Sequence, residues 1–350
     1  ITRADDIWEA ANVYISGNSF SSDVTVGVAF QDGDVSDALV TGNSFSNSVY
    51  AILATGIDNG PVDATCNWYN TTDAYAVAAK VSGDVQFLPF STSASPMNCL
   101  GIGPVVNVTN DPDRSFMTIQ SAIDAPTTIV GDVIEVSART YVENVVVNKS
   151  LTINGPNAGI SPNGGSRIAE AIINPATNSP TDWSSQLILL TADNIVIDGL
   201  TLDGDNPSFG GTGDYNVSMG IVDFTGQANV WIKNNIIQNI ATVGVILADD
   251  AGSMTSGNVI NDNKIDNISP TAGFGIGVYT GNNTYADITN NHMTNVRKGI
   301  QGGENNYLAN TGNVNPVWSG NVIQSYKIGI WNNLAYGSAT PVSITGNTVT

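Results

Sequence analysis

One short phrase recurs along this chain with an asparagine always in the same place. It reads YISGNSF at 14–20, VTGNSF at 40–45, WIKNNII at 231–237, VINDNKI at 259–265, DITNNHM at 287–293, VWSGNVI at 317–323 and SITGNTV at 343–349. The aligned asparagines are Asn18, Asn43, Asn235, Asn263, Asn291, Asn321 and Asn347. Three positions earlier stand Ile15, Val40, Ile232, Ile260, Ile288, Trp318 and Ile344; two positions later stand Phe20, Phe45, Ile237, Ile265, Met293, Ile323 and Val349. The residue between the first apolar position and the turn is mostly polar, so the period is two and each copy is a short strand with one buried face. The asparagines lie 25 residues apart from 18 to 43, then 28, 28, 30 and 26 apart from 235 to 347. A second signal of a small residue followed by an apolar one comes eight or nine residues after most of them: VGVAF at 26–30, VGVIL at 243–247, KGIQ at 298–301, IGIW at 328–331 and, more loosely, FGIGVY at 274–279. Short strands repeating every 20–30 residues predict a parallel β-solenoid. Successive coils stack ~4.8 Å apart, so like side chains form ladders. Asparagine tolerates the left-handed turn between strands, and its amide can bond to the coils on either side. The recurring asparagines are therefore expected to be structural, not ligands.

The length suits one long solenoid as well as two ordinary domains. Acidic residues number 31 against 11 basic ones, for a formal net charge of −20. That balance disfavours nucleic acid and anionic membrane surfaces as partners. With only 12% of residues charged and with Gly, Asn, Thr and Ser abundant, the composition suits an extracellular or cell-surface β protein. No apolar run approaches the ~20 residues of a membrane span. The chain opens at Ile1 with neither Met nor a leader pattern, which reads as a piece of something longer. Cys66 and Cys99 can pair in an oxidising compartment; the alternative is two buried thiols.

Residues 116–155, FMTIQSAIDAPTTIVGDVIEVSARTYVENVVVNKSLTINGP, resemble the opening of right-handed parallel β-helix proteins of the pectin-active type, in which a short helix caps the first coil. A helix near 118–125 would carry Ile119, Ala122 and Ile123 as its apolar stripe. Residues 61–90, with NWY, VSGDV and FLPF, resemble the stretch that closes the last coil of bacterial surface β-helix proteins. The fold class implied is all-β, a right-handed parallel β-helix. The ending precedes the beginning, with a Ser/Pro/Asn-rich stretch between them. The expected organisation is 1–90 as the last coils of one helix, 91–115 as linker and 116–350 as the start of the next. Were another copy to follow, the step from Asn347 to the next Asn18 would be 350 + 18 − 347 = 21 residues, close to the other coil spacings. The chain is thus expected to be one period of a tandem array: a non-catalytic module of a secreted or cell-surface fibre whose main partner is itself.

The competing reading is a polysaccharide lyase or hydrolase. The Asp, Gln and Arg motifs of the pectin esterases are not found in the sequence. A lyase would need an Arg or Lys base near calcium-binding carboxylates, and only Arg297–Lys298 form a basic pair. A hydrolase needs two carboxylates brought together across coils; Asp249 and Asp250 are the first to test, an exposed loop pair being the plainer explanation. His292 is the sole histidine, so no triad or His-based metal site can be built. Two acidic loops have calcium-like spacing without the EF-hand's distal Glu: Asp32, Asp34 and Asp37 in one, Asp203, Asp205 and Asp214 in the other. No cofactor is expected beyond Ca²⁺ at these loops, whose default is a solvated turn. A third reading, a glycan-binding adhesin module, rests on Tyr14 and Trp231, which share an outward slot four residues before their asparagines. Six N-x-Ser/Thr sequons, at Asn70, Asn107, Asn148, Asn216, Asn267 and Asn282, follow from the Asn/Ser/Thr-rich composition.

Overall fold

The computed structural model describes residues 13–21, 23–35, 37–46, 49–210, 214–249, 255–269, 274–304, 315–332 and 342–350. The chain divides into two compact units. The first comprises Ile1–Val106 with Asp111–Met117, and the second Asn107–Asn110 with Thr118–Thr350.

In the second unit three columns of parallel strands run from coil to coil. One column places Ile134, Ile153, Ile197, Ile232, Ile260, Ile288, Trp318 and Ile344 in unbroken register. A second stacks Tyr141, Ile173, Leu202, Ile237, Ile265, Met293, Ile323 and Val349. A third stacks Val145, Ile188, Ile221, Val245, Val278, Ile300 and Ile330. The three columns face inward, and nearly all of these residues are buried, apart from the last coil, where Ile344 and Val349 are exposed. This is an all-β parallel β-helix, as the repeat predicts. Among the described residues no helix is long and apolar enough to cross a membrane.

The small residue of the second sequence signal has a steric cause. A Cβ on Gly244 would lie 2.7 Å from the Gly277 carbonyl oxygen, and one on Gly277 would lie 2.8 Å from that of Gly299. The strand of the next coil leaves no room for a side chain in this slot, so a glycine stands here coil after coil.

The recurring asparagines form a second kind of ladder. The Asn235 N–H donates to Oδ1 of Asn263 at 3.0 Å, its Nδ2 donates to the same oxygen at 3.2 Å, and Nδ2 reaches back to the Ile197 carbonyl at 2.9 Å. The pattern repeats from Asn263 to Asn291, from Asn291 to Asn321 and from Asn321 to Asn347. In every asparagine-to-asparagine bond the earlier coil donates and the later coil accepts, while each Nδ2 also donates back to a carbonyl of the coil before. One expectation is corrected. The left-handed conformation belongs to the residue before each ladder asparagine, namely Gly17, Gly42, Cys66, Asn234, Asp262, Asn290, Gly320 and Gly346, with φ between 53° and 68°. That residue turns the chain; the asparagine then satisfies the buried backbone of the turn. A different corner does combine both tasks, because Asn239, Asn267 and Asn295 are themselves left-handed.

The predicted helix α1 at the head of the unit spans Ile119–Asp124 and is held at both ends by the first coil. Thr118 caps it, and the Glu143 carboxylate accepts from the N–H groups of Ile119 and Gln120, both at 3.0 Å. Lys149 Nζ donates to the carbonyls of Ile123, Ala125 and Thr128 at its other end. Negative charge thus meets the helix N-terminus and positive charge its C-terminus, as the peptide dipoles favour. Ile119, Ala122 and Ile123 are buried, so the helix seals the end of the apolar interior.

The loop between the strands at Thr152–Asn154 and Ala171–Asn174 straps the asparagine corner of later coils. Asn163 Nδ2 donates to the carbonyls of Asn263 and Asn290, and Arg167 donates to the Asn234 carbonyl while pairing with Glu170.

The first unit uses the same grammar over fewer coils. Its strands Tyr14–Ser16, Leu39–Thr41, Val62–Asp63 and Val85–Gln86 form one parallel sheet, and Val26–Asp34, Tyr50–Asn59 and Val81–Ser82 form another. Its ladder runs Asn18, Asn43, Asn67, and so includes an asparagine that the aligned phrases omit. Phe20, Phe45 and Tyr69 stack at 4.7 and 5.6 Å beside it. Cys66 and Cys99 are joined by a disulfide.

Candidate functional site

The acidic residues singled out by sequence do not gather. Among the described residues no group of three or more His, Cys, Asp or Glu side chains is placed to hold a metal. Asp203 accepts from Gln238 Nε2 at 2.8 Å, Asn239 Nδ2 at 2.7 Å and the Asp205 N–H at 3.0 Å, so its oxygens are taken up in joining its own coil to the next. Asp205 is buried. Asp34 is half-buried, Asp37 is exposed, and the Asp32 side chain and all of Asp250 lie outside the described residues.

Asp249 is 1% exposed and stands in a bridge with Thr225, close to a second buried carboxylate, Asp223. Burial pushes the Asp223 carboxyl above its usual range, against the N–H groups of Gln227, Thr225 and Gly226 that donate to it. Those bonds close a tight turn over 223–227. A glycosidase needs its two carboxyls at a surface that a sugar can reach; Asp223 and Asp249 are both sealed from solvent. His292 lies in a strand between Lys264 and Val322. Lys298 donates to Gln301 Oε1 at 2.7 Å and sits 4.4 Å over the Trp331 ring, away from any carboxylate cluster among the described residues.

Trp231 is exposed, with Nε1 donating to the Gly257 carbonyl and Lys233 over its ring. Its neighbours in the column are Val196 and Val259, so no second ring adjoins it there to make a platform. Tyr14 is exposed on the first unit, beside Leu39. Of the sequons, Asn107 and Asn216 are buried with their amide nitrogens donating to Asp132 and Asn178, whereas Asn70 and Asn148 are open to solvent.

Two other features stand out. The first is the pair of outermost ladder asparagines among the described residues. Among the described residues the Asn347 N–H and, in the first unit, Asn18 Oδ1 meet no further asparagine. The second is a hollow of about 510 Å³ at the corner between the second and third strand columns of the second unit. Asn178, Thr181, Asp214, Tyr215, Thr242 and Phe274 are among its walls. Trp183 packs edge-on against Phe274 with ring centres 4.7 Å apart, and both rings are over a third exposed. The sequence reading missed this hollow because Trp183 and Phe274 sit in loops outside the repeat; the only signal was that bulky aromatics occur there at all.

No protein-family model matches the chain. It is 33% identical over 145 residues to a cell surface glycoprotein of Methanothermus fervidus, a match covering 41% of this chain and 19% of that protein. Among solved structures, a pectin methylesterase in complex with a hexasaccharide covers 62% of this chain and 77% of its own, with a TM-score of 0.34 and 13% identity. The chain is a β-helix domain. Its columns of parallel strands establish that independently of the solved structure, and the fold by itself names no activity.

Proposed function

We propose that this β-helix domain is a non-catalytic structural module of an extracellular or cell-surface assembly, with copies joined end to end. The observation that supports the reading is that the coils at Asn347 and Asn18 carry complementary donor and acceptor positions of the same ladder. Each coil donates to the next, so Asn347 offers an N–H and an amide hydrogen where Asn18 offers an acceptor oxygen. Ile344 with Ile15, and Val349 with Phe20, would extend the neighbouring apolar ladders, and Gly346 and Gly17 carry the same left-handed turn. The surface location is supported by the name of the Methanothermus fervidus relative.

Sedimentation of the wild-type chain against Asn18→Leu and Asn347→Leu tests the joint. Wild type should form concentration-dependent oligomers, seen in electron micrographs as filaments repeating once per chain. Each variant should weaken self-association at least about tenfold, the equivalent of roughly 1.4 kcal/mol. A wild-type chain that stays monomeric at high concentration, or variants that assemble like it, overturns the proposal. Turnover of polygalacturonate, with or without Ca²⁺, that is lost in Asp249→Asn would overturn the non-catalytic part.

A further inference from the structure

We infer that the hollow beside Trp183 and Phe274 is a binding site for a neutral pyranose saccharide. Three observations converge on it. The first is shape: about 510 Å³ falls within the range of small-ligand pockets and would hold one or two sugar rings. The second is its aromatic margin. Large rings are usually buried for their apolar area, yet Phe274, which lines the hollow, is 39% exposed, and Trp183, which packs edge-on against Phe274 at 4.7 Å from outside the lining, is 45% exposed. Perpendicular rings offer a face and an edge to one ligand, and the C–H face of a pyranose is the complementary apolar surface.

The third is the polar complement. Asn216 Nδ2 donates to Asn178 Oδ1 at 3.2 Å, which fixes the Asn178 side chain and leaves its own amide N–H groups to the hollow. The Thr181 hydroxyl and the Asp214 carboxylate have no partner among the described residues. An amide donor, a hydroxyl and a carboxylate acceptor around one cavity match the neighbouring hydroxyls of a sugar, each of which donates once and accepts as well. Deeper in the wall the groups are already engaged: Tyr215 Oη donates to Asn267 Oδ1 at 2.8 Å and Thr242 Oγ1 to the Ser218 carbonyl at 2.7 Å. That fixed backing holds the site in shape before a ligand arrives.

Charge decides the class of sugar. Asp214 supplies negative charge, no Lys or Arg lines the hollow among the described residues, and the chain as a whole carries −20. A uronic acid or sulfated glycan would meet uncompensated repulsion, whereas a neutral one loses nothing.

The test is calorimetric titration of the full chain with neutral disaccharides (cellobiose, maltose, mannobiose, N,N′-diacetylchitobiose) and with digalacturonate. At least one neutral disaccharide should bind saturably with Kd on the order of 0.1–1 mM, and digalacturonate should not. Trp183→Ala should weaken that binding at least about tenfold, Trp183→Phe should retain most of it, and Trp231→Ala should leave it unchanged. Circular dichroism melts confirm that each variant folds. No saturable neutral-sugar binding, preference for digalacturonate, or equal loss in Trp231→Ala would each overturn the assignment. Self-association is measured separately and does not enter this outcome, so the site can fail without the structural role failing, and the reverse.

Discussion

The two units solve the same problem at different lengths. Both turn their coils on a left-handed residue and tie them with an asparagine ladder, but among the described residues the first shows three ladder asparagines and the second five. In a solenoid, stability accumulates from coil-to-coil interfaces, so a short stack has fewer of them to draw on. The first unit compensates with cross-links and large rings: the Cys66–Cys99 disulfide and the stack of Phe20, Phe45 and Tyr69. The second has no cysteine and relies on repetition, on helix α1 and on the strap around Arg167.

That contrast can be broken most forcibly at the ladder. Asn43→Ala and Asn263→Ala delete the same side-chain bonds in the two units: the Oδ1 that accepts from the preceding ladder asparagine, Asn18 or Asn235, and the Nδ2 that donates to the following one and back to the Ile15 or Ile232 carbonyl. Each should cost about 3–5 kcal/mol. The consequence should differ: Asn43→Ala should unfold the first unit as a whole, while Asn263→Ala should open a few coils and leave the rest protected. Hydrogen exchange read by unit distinguishes the two, and equal spread in both would remove the length argument.

Next comes the cross-link. Cys99→Ser opens a loop closed across a sequence separation of 33 residues and should destabilise the first unit by about 3–4 kcal/mol. Denaturation should then show the first unit melting earlier, with the transition of the second in place. An unchanged first transition would mean that the aromatic stack alone suffices.

The smallest effect concerns helix α1. Burial raises the Glu143 carboxyl above its usual range, more than the N–H groups of Gln120 and Ile119 lower it. The folded state therefore holds this proton more tightly than the unfolded chain. The group's contribution to stability is full below its unfolded value and is lost as pH rises through its folded one. Glu143→Gln carries no such titration, so stability measured by urea denaturation should fall less for the variant than for wild type between pH 4 and pH 7.

Much of this was legible because a solenoid writes its contacts into a one-dimensional period. Ile232, Ile260 and Ile288 are neighbours in sequence alignment and in space for the same reason, and the Ile119–Asp124 helix announces itself by its apolar stripe. Asn67 was missed because its −3 flank, Ala64, is small where every other copy has a large apolar residue, although Ala64 and Tyr69 are both buried in the equivalent places. The left-handed residue was misassigned because Gly, Asn, Asp and Cys all occupy it, so no single letter marks it. The hollow was invisible for a deeper reason. Its walls come from loops that interrupt the period, and contacts between irregular loops leave no spacing to read.

The bonds from asparagine to asparagine also have a direction, since each Oδ1 accepts from the asparagine of the earlier coil. A stack of such rungs has a donor end and an acceptor end, and two like ends brought face to face would set donor against donor. In the joining proposed above, union through the asparagine ladder would be head to tail. Head-to-tail contacts do not close on themselves unless the rotation happens to return to its start. An assembly of the proposed kind would have no internal stop, and its length would be set by what else occupies an end.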